Sequence, residues 1–279
     1  MLTAQALVAV CGTVLAACVG LGVATRASFT DFAGDARSVE ALPYVVSSSA
    51  SAERLELHDA GEVDEALAQA ESEGVDVEAL GAAGAADVLG LTSEDVGALS
   101  PLVVTGTFTG ERTYVYQAFQ CHVTVTSVLK GEGVSVGDDL VVYDGYAIRE
   151  AGSLTEGGQF GAGREVWPTG SAPSQLGLTP LREGQEYMLF LEPKRYPAEK
   201  DPATYEQTYC MLRHPYARIA LDVASHPERV GVSGSRDGVD WERIPFAEAC
   251  GYDVFVTDDE ARDLYLEGCE KVLVETLGA

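Results

Sequence analysis

Bases are scarce in this chain. Its 279 residues hold 18 Lys and Arg against 44 Asp and Glu, a formal charge of −26. A field of that sign repels nucleic acid and anionic head groups, so a nucleic-acid partner is not expected. It suits solubility, a cationic partner or divalent ions held diffusely. Close cysteine pairs are also missing: outside the amino-terminal stretch, Cys121, Cys210, Cys250 and Cys269 lie 89, 40 and 19 residues apart. Zinc sites show tighter spacing, so no metal site is read here, and no cofactor. The four histidines, His58, His122, His214 and His226, are scattered. "GVSGS" at 231–235 lacks the G-x-S-x-G of a nucleophile elbow. No catalytic residue is assigned.

What is present begins with an uncharged start. Met1 to Thr25 carry no charged side chain, and the first is Arg26. A stretch of that character is long enough to cross a hydrocarbon core of about 30 Å. It reads as a single transmembrane signal anchor that ties the protein to the membrane. A lipoprotein signal is the alternative, because "LAAC" at 15–18 resembles a lipobox ending on Cys18. Arg26 and Arg37 after the span favour a cytoplasmic body by charge. The cysteines argue the opposite way. Four in the remaining chain, without metal spacing, are read as two disulfides in an oxidising compartment, and hence an extracytoplasmic body.

Residues 26–60, with "SSSASAE" at 47–53, read as a stalk or linker. Residues 61–100 read as an acidic helical segment broken at Gly74 and Gly90; from 51 to 100 there are thirteen acids and one base, Arg54. Such a run is a solvated helix face. From Leu102 the period changes to strands, each bounded by Gly, Pro or Asp. They are "LVVTGTFTG" (102–110), a turn at "GER", "TYVYQAFQCHVTVTSVLKG" (113–131), "DLVVYDGYAIR" (139–149), "QEYMLFLEP" (185–193) and "TYEQTYCMLR" (204–213). Five antiparallel strands of this length close into a small barrel, which removes exposed edges.

In the long second strand, period-2 alternation puts Val115, Phe119, Cys121, Val123 and Val125 on a core face. Tyr116, Ala118, His122, Thr124 and Thr126 fall on the outer face. Adjacent Cys121 and His122 therefore point apart and do not form a joint site.

"PLVVTGTFTGE", "CHVTVTSVLKGEGVSVGDDLVVY" and "LREGQEYMLFLEP" together resemble a domain that recurs in bacterial cell-envelope proteins. The resemblance covers about residues 101–193. It implies an OB-like barrel of the netrin or metalloprotease-inhibitor type, and carries no catalytic residues. The expected fold is thus α+β: a transmembrane helix over 1–25, the stalk, the acidic helices, the barrel over 101–213, and an α+β extension over 214–279.

The barrel departs from the pattern by a long loop, 150–184. Phe160, Arg164 and Trp167 stand there among glycines, and they are the candidate ligand-binding residues. Equally, Trp167 caps the barrel end. As a binding residue, its loss weakens binding and leaves thermal stability unchanged. Farther on, Asp237-Gly238 reads as a hairpin turn between "RVGVS" and "VDWERI". Thr257 and Glu260 read as a capping box for a helix whose inner face holds Ala261, Leu264, Tyr265, Cys269 and Val272. That helix folds back on the strand before it, so Cys250 is expected to bond Cys269, leaving Cys121 with Cys210.

The function read from these features is a non-catalytic binding or interaction module at the bacterial cell membrane, with its body outside and a protein or small ligand as partner. The alternative is an extracytoplasmic hydrolase using carboxylates.

Overall fold

The computed structural model describes residues 39–46, 50–57, 65, 68–69, 72–74, 96–97, 99–115, 118–150, 164–169, 176–194, 207–233 and 242–278. Residues 1–38, with the expected span and Cys18, lie outside them. Among the described residues no helix is long and apolar enough to cross a membrane.

Five strands form a closed barrel: β2 (Leu102–Val115), β3 (Ala118–Lys130), β4 (Asp139–Asp144), β7 (Glu186–Pro193) and β8 (Thr208–Met211). Around the ring the order is β2-β3-β4-β8-β7, and β7 pairs with β2 to close it. Four contacts are antiparallel; β4 and β8 run parallel, Val141–Tyr143 beside Thr208–Cys210. The expectation of five antiparallel strands fails for a reason of parity. Direction cannot alternate all the way round a ring with an odd number of members, so one pair must be parallel.

The barrel is filled. Phe119, Cys121, Val123 and Val125 of β3 are at most 2% exposed, and their cross-strand partners Asp144, Val142 and Leu140 of β4 face the same interior. The alternation read over 119–126 holds, and Cys121 and His122 do point apart. Gly106 shows how closely β2 and β3 approach: a Cβ there would meet Val123 Cγ1 at 2.6 Å.

The turn comes later than the sequence signal "GER" suggests. β2 runs through Gly110, Glu111 and Arg112, and the chain reverses between Val115 and Ala118. From Phe108 to Arg112 β2 takes four steps while β3 takes two, Val123 to Cys121. A bulge absorbs the excess and aims Arg112 at the interior. Val115 belongs to the outgoing strand and is 36% exposed.

At Gly145 the chain leaves the barrel for a second sheet. It comprises β1 (Pro43–Val45), β5 (Tyr146–Glu150), β6 (Arg164–Pro168) and β11 (Arg243–Pro245), in the order β11-β1-β6-β5. Two expectations are corrected by it. The segment 26–60 is not a stalk throughout: β1 lies between β6 and β11, with Tyr44 and Val45 fully buried, and Leu55 of α1 (Ala52–Leu55) is 1% exposed. Tyr44, Val45 and Val46 are apolar enough to be captured once a neighbouring strand is available. The segment 150–184 is not one loop, because β5 and β6 form an antiparallel pair and residues 176–181 are buried.

The carboxyl-terminal part contains β9 (Arg218–Ala220), β10 (Val230–Val232), α2 (Phe246–Ala249), β12 (Val254–Val256) and α3 (Asp259–Leu277). β9 extends the barrel sheet on β7, so the boundary at 213/214 cuts through one sheet. β10 pairs with β12 and β11 with β1, so among the described residues β10 and β11 are not paired as expected; the turn read at Asp237-Gly238 lies outside the described residues. The cap of α3 is Asp258, which accepts from the Ala261 amide at 2.9 Å; Thr257 instead donates to Asp258. The inner face of α3 is close to that read from the sequence: Ala261, Tyr265, Gly268, Cys269 and Val272 are buried and Leu264 half-buried. In the acidic segment, Gly74 has φ 82, as expected of a residue that ends a helical turn.

Candidate functional site

The structure describes two of the three residues read as a recognition surface. Phe160 lies outside the described residues. Arg164 is exposed at the first position of β6. Trp167, three residues on, is 7% exposed, and its indole N–H donates to Glu165 Oε2 at 3.2 Å. Glu165 is itself buried and accepts from Arg243 Nε at 2.8 Å. Of the two roles open to Trp167, its burial in a strand fits the packing role.

All four cysteines of the folded body are free thiols, so neither Cys250–Cys269 nor Cys121–Cys210 is formed. The expectation assumed that α3 would bring Cys269 over Cys250. Instead Cys250 closes α2 and turns to the barrel interior, where Arg112 Nη1 donates to its sulfur at 3.6 Å. Cys269 packs on the inner face of α3 beside Tyr265. Cys121 points inward while Cys210 pairs with Glu192 and the outer-face Tyr143, so the two sulfurs diverge. Burial pushes all four thiols above their usual range.

Sequence reading missed two arginines taken into the core. Arg112 lies over the rings of Phe108 at 5.0 Å and Phe246 at 5.2 Å, and donates to the Leu181 carbonyl. An aromatic cage and a carbonyl replace the water that a guanidinium loses on burial. Arg218 is 1% exposed. It donates to the Thr179 carbonyl at 2.7 Å and to the Asp253 carbonyl at 2.9 Å, and lies 5.1 Å from the centre of the Tyr187 ring. It thereby ties the barrel to the segment before β12. A trace of it is visible in "YARIA", where one charge stands inside an apolar strand.

The interior carboxylate whose charge acts on both is Asp144, 3% exposed, whose Oδ2 accepts from the Leu181 amide at 3.1 Å. Burial raises its pKa, while Arg218, the Leu181 N–H and Arg112 pull it back. Asp253 is likewise raised by burial and lowered by Arg218, Arg182 and Arg229.

Toward solvent from Arg218, a polar network joins the strap before β7, the turn after β9 and the start of β12. Arg182 Nη2 contacts Asp253 Oδ1 at 3.2 Å and Gln185 Oε1 at 2.8 Å. Arg229 Nη1 reaches the same Gln185 oxygen at 3.2 Å and Asp222 Oδ1 at 2.8 Å. Gln185 Nε2 donates to Asp222 Oδ1 at 2.9 Å. His226 Nε2 lies 3.5 Å from Asp222. Burial pushes the Asp222 pKa up, but the bond and charge of Arg229, the Gln185 bond and the nearby His226 together outweigh this and hold it below the usual range. Asp253 Oδ2 is buried and has no hydrogen-bond partner.

On the outer barrel face His122 Nδ1 pairs with Asp139 Oδ2 at 2.7 Å, and Glu111 lies 3.9 Å from Nε2. Among the described residues no group of three or more His, Cys, Asp or Glu side chains is arranged to hold a metal ion.

Among the described residues, the Arg182–Gln185–Arg229–Asp253 network brings two guanidinium groups onto one oxygen, Gln185 Oε1. Comparison with known proteins adds nothing to this geometry: no family model, no curated protein and no solved structure matches the chain.

Proposed function

We propose that the protein is a non-catalytic binding or interaction module at the bacterial cell envelope. Residues 1–25 hold it in the membrane as a single span, and its body lies outside. The barrel is of the OB-like kind, an architecture of five strands that presents ligands on its outer face and loops. The observation that supports binding at the surface is the filled interior: Phe108, Phe119, Cys121, Val123, Val125 and Val142 leave at most 2% of their surfaces exposed, so a ligand has no room inside. The uncharged stretch Met1–Thr25 supports the tether. The free thiols withdraw the disulfide argument for an outside body, which then rests on the resemblance to envelope domains.

A hydrolase of carboxylate chemistry gains nothing from Asp144 and Asp253. Both have raised pKa values, as a general acid needs, but both are buried, at 2–3% exposure.

The test uses full-length protein in detergent micelles, applied to immobilised cell-wall polymers and envelope proteins and, in parallel, to glycosidase, esterase and peptidase substrates. Saturable binding without turnover is expected. Turnover of any substrate class, lost in a carboxylate variant, contradicts the reading.

A further inference from the structure

Gln185 Oε1 is an uncharged oxygen that accepts from two guanidinium groups, Arg182 at 2.8 Å and Arg229 at 3.2 Å. A neutral amide oxygen underuses two such donors, because bonds from a cation to an anion are about twice as strong as neutral ones. The same Arg182 Nη2 also donates to Asp253 Oδ1, and the other oxygen of that carboxylate, Oδ2, is buried without a hydrogen-bond partner. A buried acceptor left without a donor is costly, since it has given up its water and gained nothing in return. Together these groups ask for two things in one ligand: oxygens that accept from arginines, and a hydroxyl that donates to a carboxylate. An oxyanion that keeps a proton meets both demands; one fully stripped of protons meets only the first and is repelled by Asp253.

The facing charges permit it. Arg182, Arg218 and Arg229 outnumber Asp222 and Asp253, while His226 and Glu228 stand on the solvent side. The remainder of the −26 charge is spread over the chain and is screened beyond about 8 Å at physiological salt. Access requires that the half-buried Gln185 side chain swing aside, giving up its bonds to Arg182, Arg229, Asp222 and the Glu186 carbonyl.

We propose that Arg182 and Arg229 bind a protonated phosphate group, as hydrogen phosphate or a phosphomonoester, in the position filled by Gln185 Oε1, with its P–OH donating to Asp253 Oδ2. The site does not depend on the location or partner proposed above, and its failure leaves that reading standing.

Thermal unfolding of the full-length protein is followed at constant ionic strength in chloride, sulfate, inorganic phosphate and glycerol 3-phosphate. Phosphate at about ten times its Kd is expected to raise Tm by about 3 °C over chloride. Sulfate is expected to give little. A larger rise with glycerol 3-phosphate than with phosphate supports the site and identifies the phosphomonoester as its ligand. Gln185→Ala vacates the oxygen position and is expected to enlarge the phosphate shift. Arg229→Gln is expected to abolish it, and the Gln185→Ala arm decides should that variant not fold. No rise with either phosphate, an equal rise with sulfate, or an unchanged shift in Gln185→Ala overturns the proposal.

Discussion

The Tyr216 hydroxyl occupies the space where residue 268 would carry a side chain: a Cβ on Gly268 would lie 2.1 Å from it. The phenol passes through that gap to donate to the Leu55 carbonyl at 2.7 Å, and its ring stacks on Tyr265 at 5.6 Å. One tyrosine thus joins the β8–β9 turn, the amino-terminal α1 and the carboxyl-terminal α3.

Gly268→Ala is therefore expected to destabilise the protein by about 1–3 kcal/mol, the usual cost of overpacking. Tyr216→Phe is expected to cost about 1 kcal/mol through the lost hydrogen bond. In urea unfolding the double variant should be less destabilised than the two losses added, since removing the Tyr216 hydroxyl relieves the tightest of the three clashes, while ring carbons Cζ and Cε1 still lie 2.5 and 2.8 Å from the new methyl. Strict additivity would mean that the two residues do not share this space.

Trp167→Ala is expected to lower stability by about 3–5 kcal/mol, as for other buried aromatics. This reverses the expectation for a surface recognition residue. A melting temperature within about a degree of the parent, far less than such a loss produces, would return Trp167 to the surface.

His214 carries a pH dependence. It is 4% exposed, neither ring nitrogen has a partner, and burial pushes its pKa down to about 3. An unfolded chain takes up a proton there near pH ~6.5 and the folded one does not, so acid favours unfolding. The contribution is intact above pH ~6.5 and is lost as pH falls from there toward the folded value of about 3. Asp144 and Asp253, with raised pKa values, act in the opposite direction, so the comparison is made against a variant. Between about pH 7.5 and about pH 5.0 the parent should lose about 2 kcal/mol more than His214→Leu. Equal losses would show that His214 takes up its proton in the folded state.

The thiols give a chemical check. Without reductant, in denaturant, all of Cys121, Cys210, Cys250 and Cys269 should be alkylated; in the native protein Cys121 and Cys269, both fully buried, should be protected. A disulfide-linked peptide containing any two of them contradicts the free-thiol arrangement.

Legibility in the sequence followed the range of the interaction. The core face Phe119–Val125 and the inner face of α3 were readable because each is a local period, two for a strand and about 3.6 for a helix. The turn after Val115 was missed because "GER" is the stronger local signal, and only the need to bury Arg112 carries β2 past it. The capture of β1 between β6 and β11, and of β10 by β12, joins residues far apart in the chain and leaves no local trace. Buried Arg112 and Arg218 were passed over because a charge is ordinarily read as surface; their partners are aromatic faces and carbonyl groups that no motif spells out. Both disulfides were inferred from counting and chain length, and side-chain direction decided otherwise.

Where the body lies is the claim that supports the functional reading most broadly. Protease added to intact cells, with an immunoblot for the carboxyl-terminal helix α3, tests it directly. The account predicts that the body is cut in intact cells while a cytoplasmic marker survives, and that it fractionates with the membrane. A body that stays intact in whole cells and is cut only in lysates, or that is released without detergent, contradicts it.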